Sequence, residues 1–168
     1  IPLRLVGSEM CIRDSSRAVL DWYGNYVLLL RRLSSGKRPT ALVTYCGQGG
    51  VSEGVRRAHG GCHGQDLRPQ PRYTARYGDR SFTEGDSSDA FSVRDLRRRC
   101  GAFVTIASPP CKPYSTALLR GEASEPALIE QTRDALRSAG GLYVIENVPG
   151  ARADMRLSLI HHLTLPTN

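Results

Sequence analysis

Three short apolar runs divide the middle of the chain, and glycine, proline or glutamate follows each run within two residues. The runs cover residues 40–45, 103–107 and 142–145, and they are rich in β-branched and aromatic side chains. Runs of this length and composition predict buried β-strands. A further strand is expected near position 66, although residues 59–65 contain few side chains that favour strands.

Between these runs, apolar residues recur at helical spacing. Four helices are predicted on this basis, over 17–33, 51–59, 91–99 and 125–139. The alternation of strands and helices predicts an α/β fold of Rossmann-like type, with a mainly parallel sheet and flanking helices.

Two segments are defined by polar residues. Residues 72–86 are polar and predict a loop, and the run that begins at Asp86 is expected to cap the helix that follows. The stretch before residue 40 predicts a linker that joins the first helix to the sheet.

The length of 168 residues fits one domain, and no apolar run approaches the length needed to cross a bilayer. No secretory signal pattern is found either, so the expectation is a cytoplasmic protein without a membrane partner. The formal charge of +7, mostly from arginine, suits a polyanionic partner such as DNA. Arginine runs are also common on solvated helix faces, so charge alone leaves the partner open.

The five cysteines are scattered and form no Cys-x-x-Cys pair. This predicts free thiols, with neither a disulfide framework nor a structural zinc site. Cys111 differs from the others because it follows two prolines, Pro109 and Pro110, at the end of an apolar run. A stiff turn at that position would present a nucleophile, whereas a lone cysteine is more commonly a small buried hydrophobe.

A second chemical signal follows the first strand. Gly47, Gly49 and Gly50 lie between that strand and a predicted helix, where glycine lets the backbone turn sharply and approach a ligand. Asp66 comes about 20 residues later, the position at which dinucleotide-type sites bind ribose hydroxyls. The alternative for Asp66 is a surface aspartate that begins a turn.

Four motifs together resemble the DNA (cytosine-5) methyltransferases of phages and restriction–modification systems, over residues 40–151. They are the glycine loop Tyr45–Gly50, the acidic turn Asp66–Pro71, the Pro-Pro-Cys turn at 109–111 and the glutamate motif Glu146–Gly150. The last two motifs are the most specific, because each follows an apolar run and they stand in the family's order.

The resemblance implies a Rossmann-like fold of the S-adenosylmethionine-dependent methyltransferases and a transfer of a methyl group to C5 of a cytosine flipped out of DNA. Cys111 would add to C6 of the ring, and Glu146 would hold the base through N3 and the exocyclic amine. S-adenosylmethionine would bind at Tyr45, Gly47, Gly49, Gly50, Asp66 and Asp86. Pro110, Ser115 and Asn147 would support the two catalytic turns, and no metal is implied.

The chain departs from the family pattern in two places. Val43 stands where an aspartate is usual, and Lys112 stands where a glutamine is usual. Little chain follows the glutamate motif, so a catalytic fragment without a target-recognition domain is expected. Two alternatives stay open: a non-catalytic module that binds S-adenosylmethionine or DNA, and an unrelated Rossmann-like enzyme that uses a nicotinamide cofactor.

The expected organisation has four parts. Residues 40–157 form a partial cofactor-binding and catalytic domain, preceded by a helix and linker over 16–39. Residues 1–15 and 158–168 resemble translated sequencing-adapter reads and are expected to be non-native.

Overall fold

The computed structural model describes residues 35–36, 39–58, 60–115 and 126–155. Five strands form one sheet in which all neighbouring strands are parallel. The strands are β1 (Thr40–Thr44), β2 (Gly61–Asp66), β3 (Phe82–Glu84), β4 (Ala102–Ala107) and β5 (Leu142–Ile145).

The strand order across the sheet is β3-β2-β1-β4-β5. A parallel sheet in this order, with helices between its strands, is a Rossmann-like α/β fold, so the predicted fold class is confirmed. The described helices are α1 (Gly50–Arg57), α2 (Pro71–Tyr77), α3 (Ala90–Arg99) and α4 (Ile129–Ala139). The helix predicted over 17–33 and the two ends expected to be non-native, 1–15 and 158–168, lie outside the described residues.

Alternate residues of β1 point into different cores. Leu42 packs with Val93 and Leu96 of α3 and with Leu136 of α4. Val43, one residue later, packs with Cys46, Cys62 and Tyr73, together with the partly buried apolar side chains of α1. Because side chains alternate across a strand, the sheet has α3 and α4 on one face and α1 and α2 on the other.

The prediction of a loop over 72–86 is wrong, because this segment forms α2, a short 3-10 helix and β3. Pro71 occupies the first turn of α2, where its missing N–H costs no hydrogen bond. Tyr73 and Tyr77 are four residues apart on the same side of the helix, and their rings meet edge-on with centroids 4.8 Å apart. Tyr73 is fully buried, so two aromatic side chains are enough to give this polar segment a core face.

Strand β2 forms although its sequence favours no strand. It is hydrogen-bonded between β1 and β3, and its glycine at position 64 makes room for the ring of Tyr73. A Cβ atom at Gly64 would lie 2.5 Å from Cζ of Tyr73. Packing against the neighbouring helix has therefore overridden local propensity.

The helix boundaries also need two corrections. The N-cap of α3 is Asp89, whose carboxylate accepts hydrogen bonds from the backbone N–H groups of Phe91 and Ser92. Asp86, the predicted cap, instead accepts from the N–H and the hydroxyl of Ser88 in the preceding turn. The last helix begins at Ile129 rather than at residue 125, and residues 126–128 are irregular.

Candidate active site

The carboxyl ends of all five strands meet at one edge of the sheet, and a predicted site residue ends or follows every one of them. In spatial order these are Asp86 after β3, Asp66 at the end of β2, the glycine loop after β1, Cys111 after β4 and Glu146 after β5. Neighbouring strands are about 4.8 Å apart, so the whole row spans about 19 Å. The chain changes direction across the sheet between β1 and β4, and ligands bind at such a switch point in open α/β sheets.

The glycine loop turns sharply and packs closely against Tyr77 of α2. Gly47 and Gly49 have φ angles of 47° and 95°, in the region that favours glycine. A Cβ atom at Gly49 would lie 2.6 Å from Cε2 of Tyr77, and the Tyr77 hydroxyl donates to the Gly49 carbonyl at 3.2 Å. Helix α1 begins at Gly50 without a side-chain cap. No side chain therefore caps the backbone N–H groups of its first turn, which lies at the switch point.

Asp66 connects the end of β2 to this loop. Its Oδ2 accepts a hydrogen bond from the Gly47 N–H at 2.9 Å, and its Oδ1 accepts from the Arg68 N–H at 3.3 Å. The second bond is the turn expected of an ordinary surface aspartate, whereas the first orients the carboxylate toward the glycine loop. The turn interpretation of Asp66 is therefore confirmed, whereas ribose binding stays a prediction, for which each carboxylate oxygen has a further lone pair.

Tyr45 links the glycine loop to the face of the sheet that carries α3 and α4. It has a φ angle of 55°, unusual for a residue with a side chain. Its N–H donates to Oγ of Ser87 at 3.3 Å, and its hydroxyl lies 2.7 Å from Oγ1 of Thr132. Burial raises the pKa of Tyr45, so its hydroxyl stays protonated. No sequence signal connected Ser87 or Thr132 to Tyr45, because both lie far from it along the chain.

The described cysteines differ strongly in exposure. Cys111 is exposed, Cys100 is half-buried, and Cys46 and Cys62 are buried. Burial, assisted by the charge of Asp66, raises the pKa of Cys46 to about 12, and burial also raises that of Cys100. A thiol held protonated is a poor nucleophile. The interpretation of Cys111 as a buried hydrophobe is therefore wrong, and Cys111 is the described thiol most open to a reaction partner.

The turns that carry Cys111 and Glu146 are tied together. The Glu146 N–H donates to the Ala107 carbonyl at 2.9 Å, which extends the pairing of β4 with β5. Asn147 Nδ2 donates to the Pro109 carbonyl at 2.8 Å, and Asn147 Oδ1 accepts from the Val148 N–H at 2.9 Å. One amide side chain thus bridges the Pro-Pro-Cys turn and the glutamate turn, while the Glu146 side chain itself is exposed.

The remaining predicted residues have smaller parts in this geometry. Pro110 and Ser115 are both half-buried, and the Ser115 N–H closes the 3-10 turn after Cys111 by donating to Lys112. Asp86 is exposed and bonds to Ser88, which lines a concavity of about 620 Å³ between α3 and α4. Ser88, Gln131 and Asp134 line this concavity, whereas neither the glycine loop nor the Pro-Pro-Cys turn does.

Within the described ranges, no group of three or more histidine, cysteine or acidic side chains is arranged to hold a metal ion. None of the helices there has the length and apolar character needed to cross a membrane. No protein-family model matches the chain, and no curated protein matches it.

Proposed function

We propose that this chain is the cofactor-binding and catalytic part of a DNA cytosine-5 methyltransferase, with Cys111 as nucleophile and Glu146 as its partner at the base. The observation that carries the proposal is the position of Cys111. It is an exposed thiol on a stiff turn at the switch point, one strand away from Glu146 and one strand away from a glycine loop. Burial within the fold does not account for such a thiol.

The residues around the glycine loop suit S-adenosylmethionine. A Cβ atom at Gly47 or Gly50 would have no neighbour within 4 Å, so a ligand has room to approach the backbone there. The uncapped start of α1 suits the methionine carboxylate. Asp66, already oriented by Gly47, suits the ribose hydroxyls, and Tyr45 would lie against the cofactor. Asp86 would approach the adenine amine. When bound, S-adenosylmethionine supplies an electrophilic methyl group.

The protein's own residues would prepare the cytosine. The Cys111 thiolate forms a bond to C6, and the electron pair of the C5–C6 double bond shifts so that C5 becomes nucleophilic. Glu146 binds the exocyclic amine and gives or shares a proton at N3 as negative charge develops on the ring. Once C5 carries the transferred methyl group and a base has taken its proton, elimination breaks the bond between sulfur and C6, re-forms the C5–C6 double bond and restores the thiolate.

The exposure of both catalytic side chains suits a base that arrives from outside. Cytosine C6 cannot be reached inside a stacked duplex, so the base must be flipped out. Glu146 is exposed, and the base would supply much of the burial that its role requires. The bridge that Asn147 makes to the Pro109 carbonyl would keep the thiol and the carboxyl in register while the base enters.

Trapping of the covalent intermediate tests the proposal. The chain is incubated with S-adenosylmethionine and DNA that contains 5-fluorocytosine, which blocks the final elimination because C5 carries fluorine instead of a proton. We expect a protein–DNA adduct that resists denaturation, whose peptide mass places the bond at Cys111. The Cys111→Ser variant should form none, whereas Cys100→Ser, which removes a half-buried thiol elsewhere, should react as the unmodified chain does.

The alternatives give different outcomes. A chain that binds S-adenosylmethionine without forming an adduct is a non-catalytic binding module. A chain that binds NAD but not S-adenosylmethionine is a nicotinamide-dependent enzyme. Either result contradicts the proposed activity.

A further inference from the structure

Tyr45 has more restraints than packing alone would require. It is the one residue other than glycine with a positive φ angle in the described part of the chain. That conformation is unfavourable for a residue with a side chain, and it persists only where surrounding contacts enforce it. Its backbone N–H and its hydroxyl, at opposite ends of the residue, both have hydrogen-bond partners outside the glycine loop.

Both partners are rigidly placed. Ser87 is 2% exposed and lies in the turn before α3, and Thr132 is fully buried in the first turn of α4. Thr132 follows Ile129, which is also fully buried, so the start of α4 is held in the core. A phenylalanine at position 45 would occupy nearly the same space but would lack the bond of 2.7 Å to Thr132.

We infer that Thr132 and Ser87 are positioning residues for cofactor binding, acting through Tyr45. This inference rests on the proposed function, in which the Tyr45 ring lies against S-adenosylmethionine. Thr132 sets the direction of the ring through the hydroxyl, and Ser87 holds the backbone in the left-handed conformation. The glycine loop is then restrained from the α3 and α4 face by Tyr45 and from the α1 and α2 face by Tyr77.

Preorganisation is the physical reason for an effect on affinity. A ring that is already oriented loses little conformational freedom when the ligand binds, whereas a ring that can rotate must be ordered at that moment. Removal of the hydrogen bond to Thr132 should therefore weaken cofactor binding even if the fold is kept.

The test compares five variants by isothermal titration with S-adenosylmethionine, together with thermal unfolding of each chain without ligand. We expect Thr132→Val and Tyr45→Phe each to raise the Kd about tenfold, and the double variant to be no weaker than either single variant, because both remove one shared bond. Thr132→Ser keeps a hydroxyl and should bind within about twofold of the unmodified chain.

Thr44→Val is the matched control. Thr44 is as buried as Thr132 and adjoins Tyr45, but its hydroxyl has no hydrogen-bond partner among the described residues. It should leave the Kd unchanged. If Thr132→Val and Tyr45→Phe lower the unfolding temperature but not the affinity, the two residues are merely structural and the inference is wrong. If the unmodified chain does not bind S-adenosylmethionine at all, the proposed function fails as well.

Discussion

The two halves of the sheet present their functional residues in opposite ways. In the glycine-loop half, formed by β1 to β3 with α1 and α2, the loop is bonded to Asp66 and Tyr77 within that half and, through Tyr45, to Thr132 across the sheet. In the thiol half, formed by β4 and β5 with α4, the side chains of Cys111 and Glu146 are exposed and only the turns beneath them are bridged.

Under the proposed function, the two halves bind different kinds of ligand, which would account for this difference. A small ligand that contacts backbone gains from a loop that is ordered before it arrives, because the cost of ordering is met during folding. Side chains that react with a base in a second macromolecule must instead project toward it. The preformed loop and the exposed thiol are therefore consistent with one site that has two kinds of ligand.

Thiol reactivity should separate the two halves most strongly. At pH 8 a thiol with a pKa of about 12 is ionised to only about one part in ten thousand, and Cys46 is buried as well. We expect iodoacetamide to modify Cys46 at least about a thousandfold more slowly than Cys111. Mass spectrometry of the peptides over time measures both rates. Similar rates would show that the glycine-loop half opens readily, and Cys111→Ser confirms the assignment of the fast site.

Gly64→Ala tests whether the glycine-loop half depends on close packing. The added Cβ would lie within 3 Å of the Tyr73 ring and of Cys46 Sγ, and both side chains are buried. We expect the free energy of unfolding to fall by about 2–3 kcal/mol, measured by urea denaturation.

Gly54→Ala is the control for this change, because nothing lies within 4 Å of its Cβ position in α1. It should stabilise the chain by about 0.5–1 kcal/mol, since alanine favours helix more than glycine does. Equal effects at the two positions would mean that backbone entropy, and not the Tyr73 contact, dominates.

Alkaline pH should lower the free energy of unfolding through Cys46, which lies in the glycine-loop half. The pKa of Cys46 is raised from 9.0 to about 12 in the folded chain. The unfolded chain therefore loses this proton first, and the stability that the protonated thiol contributes is complete below pH 9 and is lost as the pH rises toward 12. The slope reaches at most about 1.4 kcal/mol per pH unit for this group. Urea denaturation at pH 8.5, 9.5 and 10.5 measures it, and Cys46→Ala should flatten the curve.

Two substitutions in the turn before α3 have the smallest expected effects. Together they distinguish a structural role from a role in cofactor binding. Asp89→Ala removes the N-cap of α3 and should cost about 1 kcal/mol in the free energy of unfolding. Asp86→Ala removes only exposed bonds to Ser88 and should cost less. Under the proposed function Asp86→Ala raises the Kd for S-adenosylmethionine more than Asp89→Ala does. The reverse order would remove Asp86 from the site.

Local pattern predicted the strands with strong apolar runs. Strand β5 covers the predicted residues 142–145, and β1 and β4 differ from the prediction by one residue at one end. The same approach failed over 72–86, because the stabilising contact there is long-range. Tyr73 is buried against Gly64 and Cys46, which local periodicity does not connect to it.

Outside residues 72–86, the sequence by itself determined the alternation of strands and helices, the positions of the glycine loop and the Pro-Pro-Cys turn, and hence the α/β class. These features depend on a few neighbouring residues, whose spacing and backbone preferences are local. Only the tertiary structure decided that Cys111 is exposed, that Asp89 caps α3 in place of Asp86, and that Thr132 reaches Tyr45. Burial and hydrogen-bond partners depend on which distant segments become neighbours in the sheet, and that is a property of the whole packed fold.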